Sequence, residues 1–285
     1  MTNLLASGAG FLNTAWGLTL FILLDIAILL VVLALNYRWL FKRVLDILFS
    51  ALFMAVFLPF FLVFLLVDAI YNKVQNAYKS LFVSDYFAGK KGRVIRITVF
   101  ATERTERGED GKLLPERERV TPWGRFMKAC GMKYYPCLPA VFTGKLSFVG
   151  PRPMTLTDAA ALSEEGSVRF SVRPGLVSSL ERYGGESLTW PDMFEEDAEY
   201  AAHLSLFKDV SFFMTKIANR LRGDTTQHLG VCAETGYVEW LAETGAITEE
   251  ESREYAEAGS EKLRSATKTD SDRRNFERRD FGQLR

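Results

Sequence analysis

Hydrophobic residues are distributed unevenly along the chain, and the longest apolar runs lie before residue 70. Over residues 16–35 almost every position is apolar, and Asp25 is the only charge. About twenty helical residues at ~1.5 Å each span the hydrocarbon core of a bilayer, so this stretch reads as a transmembrane helix. A signal peptide fits less well, because no Lys or Arg precedes the run and no small-residue cleavage site follows it. Arg38, Lys42 and Arg43 come next, and the positive-inside rule then places the amino terminus outside and residue 40 in the cytoplasm. A second uncharged run covers 47–67, with Pro59 near its middle and basic residues on both flanks. Plain spanning would carry the downstream lysines and arginines to the outer side. A helix broken at Pro59, entering and leaving by one face, keeps both flanks in the cytoplasm and is the preferred reading.

Downstream the pattern changes to shorter, mixed elements. Residues 68–91 interleave aromatics with lysines and suggest an amphipathic helix in the headgroup region. Residues 93–100 alternate as a strand, and 103–118 form a charged loop. Thr121 and Pro122 open a short basic helix over 124–128. A second helix covers 136–142, and a turn at 143–145 leads to a short strand at 146–149. Helices are expected at 156–170, 190–200, 210–221 and 237–242. From Thr248 the chain is dense in both signs of charge, and its end is expected to be disordered. The organisation implied is a transmembrane helix in 1–40, a re-entrant helix in 41–70, a cytoplasmic domain in 71–222 and a charged, partly disordered extension in 223–285. The fold class is therefore α/β and membrane-associated, with a small mixed cytoplasmic domain and amphipathic interfacial helices.

Composition narrows the function. Lysines and arginines balance the acids over 285 residues, so nothing argues for nucleic acid. Cys130, Cys137 and Cys232 have no metal-ligand spacing and fit free thiols in a reducing compartment. His203 and His228 stand apart from other ligand-type residues and read as ordinary surface or core side chains.

Candidate chemistry concentrates at Gly150-Pro151-Arg152-Pro153, where two prolines fix the backbone around one arginine. A guanidinium presented in this way suits a phosphate or a carboxylate, and Val172-Arg173-Pro174-Gly175-Leu176 repeats the device. A solvated surface turn is the plainer alternative.

Taken together, these residues resemble the monotopic phosphoglycosyl transferases, the bacterial sugar transferase family that starts undecaprenyl-linked glycan assembly. The resemblance runs from about Lys42 to Ile217. Lys42-Arg43-Val44-Leu45-Asp46 is similar to the Lys-Arg-x-x-Asp that opens the family's re-entrant helix, and Pro59 falls at its helix-breaking proline, after Leu58 where a serine is usual. Arg119-Val120-Thr121 and Gly124-Arg125-Phe126-Met127-Lys128 resemble two further family segments. The run Leu146-Ser147-Phe148-Val149-Gly150-Pro151-Arg152-Pro153 is nearly its signature loop. Trp190, Phe194, Asp197 and Tyr200 fit its Trp, Phe, Asp and Tyr series. The resemblance implies a domain docked on the cytoplasmic leaflet of the bacterial inner membrane. It also implies a UDP-sugar donor, a polyprenyl phosphate acceptor, and Mg2+ if the protein is active. Pro151, Arg152, Pro153 and Arg173 would bind substrate, and Lys42, Arg43, Asp46 and Pro59 would serve the membrane helix.

In active members an adjacent Asp-Glu pair does the chemistry, the aspartate attacking the phosphate of the sugar nucleotide. Counting from Gly124 and back from Pro136 places that pair at Lys133 and Tyr134, neither of them a carboxylate. The family's arginine near the phosphates is replaced by Ala101, and its glutamine after the proline by Cys137. Tyr134, Cys137, Glu116 and Glu118 are the substitute nucleophiles to weigh. Two functions follow. One is a catalytically lapsed relative serving as partner or regulator of a glycan-assembly membrane protein; the other is an active transferase with a non-standard nucleophile.

Overall fold

The computed structural model describes residues 14–104, 106, 116–183, 188–222 and 235–283, with no side chain described beyond 268. Helix α1, Ala15–Leu35, is apolar apart from Asp25 and the hydroxyl of Thr19, and its large apolar side chains from Trp16 to Val32 are exposed. A π turn over Tyr37–Phe41 leads into α2, Lys42–Gln75. Two helices are thus long and apolar enough to cross a membrane.

The expected break at Pro59 is not seen, and α2 is continuous through it over 34 residues. Proline removes one ladder bond and crowds the preceding turn. Here Phe53 on one side and Phe61 on the other are held against the same domain, with ring centroids 5.8 Å from Phe148 and 4.6 Å from Tyr135. The Tyr135 hydroxyl also donates to the Met54 carbonyl at 2.7 Å. At the far end Phe64 packs on Trp123 and Phe126. One face of α2 therefore lies on the domain from end to end, while Leu52, Val56, Phe60, Val63 and Leu66 stay exposed on the other.

Asn76, in the left-handed region at φ 47°, stops α2, and the Tyr78 amide donates to the Asn72 side chain at 2.7 Å. The chain then enters β1, Phe82–Ala88, so the single amphipathic helix expected over 68–91 is corrected to a helix end followed by a strand. Exposure alternates over the start of this strand, with Val83 and Asp85 exposed and Ser84 half-buried between them. Strand β2, Val94–Phe100, pairs antiparallel with β1 and sets Asp85 opposite Ile97. Next comes α3, Pro122–Cys130, capped as expected by Thr121, whose hydroxyl accepts from the Gly124 amide at 2.9 Å. A 3-10 turn, Met132–Cys137, runs into α4, Leu138–Phe142, then β3, Ser147–Val149, and β4, Met154–Thr155, which pairs with β1. The helix expected over 156–170 is shorter: α5 covers Leu156–Ala160, and the rest is a single turn and a 3-10 segment.

Strand β5, Gly175–Val177, lies parallel to β3. The backbones touch closely here: a Cβ on Gly150 would stand 2.3 Å from the Arg173 carbonyl oxygen, and one on Gly175 would stand 2.1 Å from the Gly150 nitrogen. Only glycine permits both approaches. Helix α6, Trp190–Ala202, opens on a capping box from Thr189 and Asp192, and α7, Leu206–Leu221, follows. Finally α8, Tyr237–Glu243, and α9, Glu249–Gln283, pack beside α5. At Gly259 a Cβ would meet the Thr157 nitrogen at 2.8 Å, so α9 approaches α5 at backbone distance. Cys130 and Cys137 are free thiols; Cys232 and His228 lie outside the described residues.

Candidate active site

Three residues of the Lys42-Arg43-Val44-Leu45-Asp46 motif each tie α2 to a different element. Lys42 pairs with Asp209 of α7 and donates to the Tyr200 hydroxyl of α6 at 3.0 Å. Arg43 donates to the Val141 and Phe142 carbonyls at 2.7 and 2.5 Å, satisfying the open end of α4. Asp46 accepts from the Ser147 hydroxyl at 3.1 Å and the Phe148 amide at 3.0 Å, fixing β3. Burial and the adjacent Asp209 push the Tyr200 phenol well above its usual range, so it stays a neutral hydrogen-bonding group.

These clamps hold the signature loop from one side, and a buried ion pair holds it from the other. Asp197 of α6 meets Arg169 at 3.0 Å, the two side chains being 0% and 2% exposed. Arg169 in turn donates to the Arg152 carbonyl at 2.7 Å. Burial raises the Asp197 carboxyl to about 6 even against the attraction of Arg169. Trp190, Asp197 and Tyr200 of the sequence series are all buried on α6; Asp197 reaches the loop through Arg169, and the Tyr200 hydroxyl donates to the Val149 carbonyl at 3.1 Å.

The loop opens onto a cavity of about 370 Å³. Its floor is the face of the β1–β2 hairpin carrying Asp85 and Ile97, and one wall is the 3-10 turn carrying Lys133, Tyr134 and Cys137. Arg152 and Pro153 form the rim, and Glu181, Lys216 and Asn219 close the far side. Lys133 and Tyr134, the positions of the missing carboxylate pair, thus line the same space as the signature arginine. Arg173 does not line this cavity; its Nε donates to the Gly144 carbonyl at 2.8 Å and braces the turn before β3. The Pro151 carbonyl accepts from Gly175 at 2.9 Å, so this proline serves the β3–β5 crossing. Ala101 is buried against Ala77 and Tyr78 rather than facing the cavity.

Electrostatics separates the candidate nucleophiles. Burial pushes the Cys137 thiol up to about 12, although the charge of Lys133 opposes the rise, and its Sγ donates to the Thr98 carbonyl at 3.2 Å. A thiol held in this way is not a nucleophile at neutral pH. Glu118 is exposed and does not line the cavity, and the Glu116 side chain lies outside the described residues. Tyr134 lines the cavity and is 40% exposed.

Sequence reasoning passed over Asp85, Glu103, Glu181 and Lys216. Glu103 sits where three cations converge: Lys128 at 2.8 Å, Arg119 at 3.3 Å and Lys133 at 3.6 Å. Burial alone would raise its carboxyl, but the Lys128 hydrogen bond and these charges hold it below its usual range. Glu181 accepts from Lys216 at 2.7 Å, and the Asn219 amide donates to the Glu181 carbonyl at 2.9 Å. Asp85 makes none of the ion pairs found among the described residues. No pattern in the sequence marked it, since Phe82-Val83-Ser84-Asp85 does not alternate in polarity.

Mg2+, which the resemblance to the family implies, would find two carboxylates lining this cavity, Asp85 and Glu181. It requires oxygen ligands, with carboxylates supplying its protein contacts. The dyad positions offer an ammonium and a phenol, and Glu181 is held by Lys216. Among the described residues no group of three or more His, Cys, Asp or Glu side chains is placed to hold a metal ion.

The sequence model of the bacterial sugar transferase family matches residues 37–223, and the chain belongs to that family. It is 29% identical over 147 residues to the uncharacterized sugar transferase EpsL of Bacillus subtilis (strain 168), covering 52% of this chain and 73% of that protein. It is 26% identical over 121 residues to a UDP-galactose-lipid carrier transferase of Erwinia amylovora, covering 42% of this chain and 25% of that protein. Against an undecaprenyl-phosphate galactose phosphotransferase of Salmonella typhimurium it is 25% identical over 121 residues, covering 42% and 25%. The chain therefore spans only a quarter of the length of these last two relatives.

Proposed function

We propose that this protein binds a sugar nucleotide in the 370 Å³ cavity but has lost the family's carboxylate chemistry, and acts as a partner or regulator in bacterial polysaccharide assembly. The observation that carries this reading is the placement of Lys133 and Tyr134 at the cavity wall. A protonated ammonium has no lone pair with which to attack phosphorus, and no carboxylate replaces it on that wall. The retained cavity, with Arg152 at its rim, supports ligand binding over a purely structural role.

The membrane arrangement proposed with it puts both ends of α2 on the cytoplasmic face of the inner membrane and the amino terminus outside. Support comes from the two ends of the helix. Asp46 near one end is hydrogen-bonded to β3, and Tyr71 near the other packs against the cluster that holds Ala101 at the end of β2. A helix that crossed a bilayer ~30 Å thick would not bring both ends to one folded unit.

Asp85 favours a second reading. It is a cavity carboxylate outside the ion pairs described, and its oxygen would be the nucleophile of an active transferase to polyprenyl phosphate. Turnover in nanodiscs decides between the two. With polyprenyl phosphate, Mg2+ and a panel of UDP-sugars, the parent is expected to release no UMP, whereas Lys133→Asp with Tyr134→Glu is expected to gain release above background. UMP release by the parent that is abolished by Asp85→Asn would establish the second reading.

A further inference from the structure

A group of cations that does not line the cavity is gathered by the fold at one place. Arg38 lies just beyond the end of α1, Arg43 in the first turn of α2, Lys90 and Lys91 at the tip of the β1–β2 hairpin, and Arg173 in the loop before β5. The hairpin tip packs against the 3-10 segment Val168–Ser171 that leads into the Arg173 loop. Arg43 and Arg173 meet over Gly144: a Cβ there would stand 3.0 Å from the Arg43 guanidinium carbon, and the Arg173 Nε donates to the Gly144 carbonyl at 2.8 Å. Partial desolvation, followed by the charges of Arg173, Lys91 and Arg38, lowers the Lys90 ammonium from its usual range, so all three lie close to Lys90.

Like charges brought together repel unless a carboxylate stands among them. Among the described residues none of these five takes part in an ion pair. Asp46 acts on Arg43, but its oxygen is held by Ser147 and Phe148. Arg38 and Arg173 each use one nitrogen on a carbonyl, those of Ala202 and Gly144, which leaves the rest of each fork for an anion. The surroundings indicate which anion. Leu40 beside Arg38, Leu48 and Leu52 on α2 and the side chains of α1 form exposed apolar surface, and the cations stand where it begins. That boundary is the depth of the lipid phosphates.

We propose that Arg38, Lys90, Lys91 and Arg173 form a site for the phosphate of an anionic lipid headgroup, with Arg43 beside it. The choice of a lipid rests on the membrane arrangement proposed above; the sugar-nucleotide reading of the cavity is not involved.

The test is native mass spectrometry of the purified full chain in neutral detergent, titrated with dioleoylphosphatidylglycerol, dioleoylphosphatidylcholine and inorganic phosphate. Phosphatidylglycerol is expected to bind about tenfold tighter than phosphatidylcholine, whose own ammonium cancels the phosphate charge. Lys90→Gln and Arg38→Gln, on separate elements, are each expected to weaken phosphatidylglycerol about fivefold, the worth of one cation at an anionic lipid surface. Lys79→Gln, an exposed lysine beyond the other end of α2, is expected to leave it unchanged. Equal affinity of the parent for the two lipids, or an equal loss in Lys79→Gln, would overturn the site. Inorganic phosphate binding that is lost in Lys90→Gln, without a lipid preference, would overturn the lipid and assign the cluster to a soluble phosphate. The comparison of lipids on the parent needs no variant. Detergent also removes the bilayer, so failure here is read apart from failure of the topology, which cysteine labelling tests.

Discussion

Glu103 is the residue on which the electrostatics of the site turns, since one carboxylate there orders Lys128, Arg119 and Lys133. Its carboxyl is held below the usual range in the folded protein. Such a group stabilises the fold above its unfolded pKa, and that contribution is lost as pH falls through the lower folded value. Glu103→Gln should therefore melt at a lower temperature than the parent at pH 7, and the gap should close at acid pH below about 4.5, the ordinary glutamate value. A gap that is constant with pH would contradict this account. At this scale Arg152 stood out from the two prolines around it, and Lys133 and Tyr134 from counting along the resemblance to the family; all three line the cavity. Glu103 and Lys216 did not, because their roles depend on partners 25 and 35 positions away in sequence. No local pattern marks an acid that will meet a distant lysine. Cys137 shows the opposite case, where a reactive residue type at a suggestive position is disarmed by burial.

At the scale of elements, α6 acts on the site at one remove. Asp197 holds Arg169, and Arg169 holds the carbonyl of Arg152. Removing one partner of a fully buried pair leaves the other charge uncompensated, and typically costs about 3–5 kcal/mol. Asp197→Ala should lose that much in chemical denaturation; a loss under about 1 kcal/mol would show that the pair does not hold the loop. Gly175→Ala should be comparably harmful despite its small size, because the Cβ would overlap the Gly150 nitrogen at 2.1 Å. Strands and helices with clear periodicity, such as β2, α6 and α7, were readable within a few residues. One element was misread for an identifiable reason. The 68–91 stretch carries lysines and aromatics at intervals that suit a helix, yet Asn76 takes a left-handed conformation and ends it. The 249–283 stretch is poor in large apolar residues, and it finds its partner through the close approach that Gly259 allows.

The whole molecule combines two apolar helices with a mixed α/β domain whose sheets are small. Helix α2 is the common support. Its first turns clamp α4, α7 and β3, its middle carries Tyr135, and its end carries Trp123 and Tyr78. On this arrangement Thr2→Cys and Glu261→Cys should label from opposite sides of sealed inner-membrane vesicles, and labelling from one side would contradict the proposed topology. Pro59 suggested a turned-back helix, yet α2 runs through it unbroken, and the topology proposed here rests instead on both ends of α2 being held on one domain. The central claim, that the cavity has kept its ligand and lost its chemistry, is tested most directly by an electron cryomicroscopy structure of the nanodisc-bound protein with a saturating UDP-sugar. The account predicts density for an intact sugar nucleotide, its diphosphate against Lys133 and Arg152 and its sugar-phosphate bond uncleaved. Density for a phosphosugar joined covalently to Asp85 or any other side chain, or an empty cavity at saturation, would contradict it.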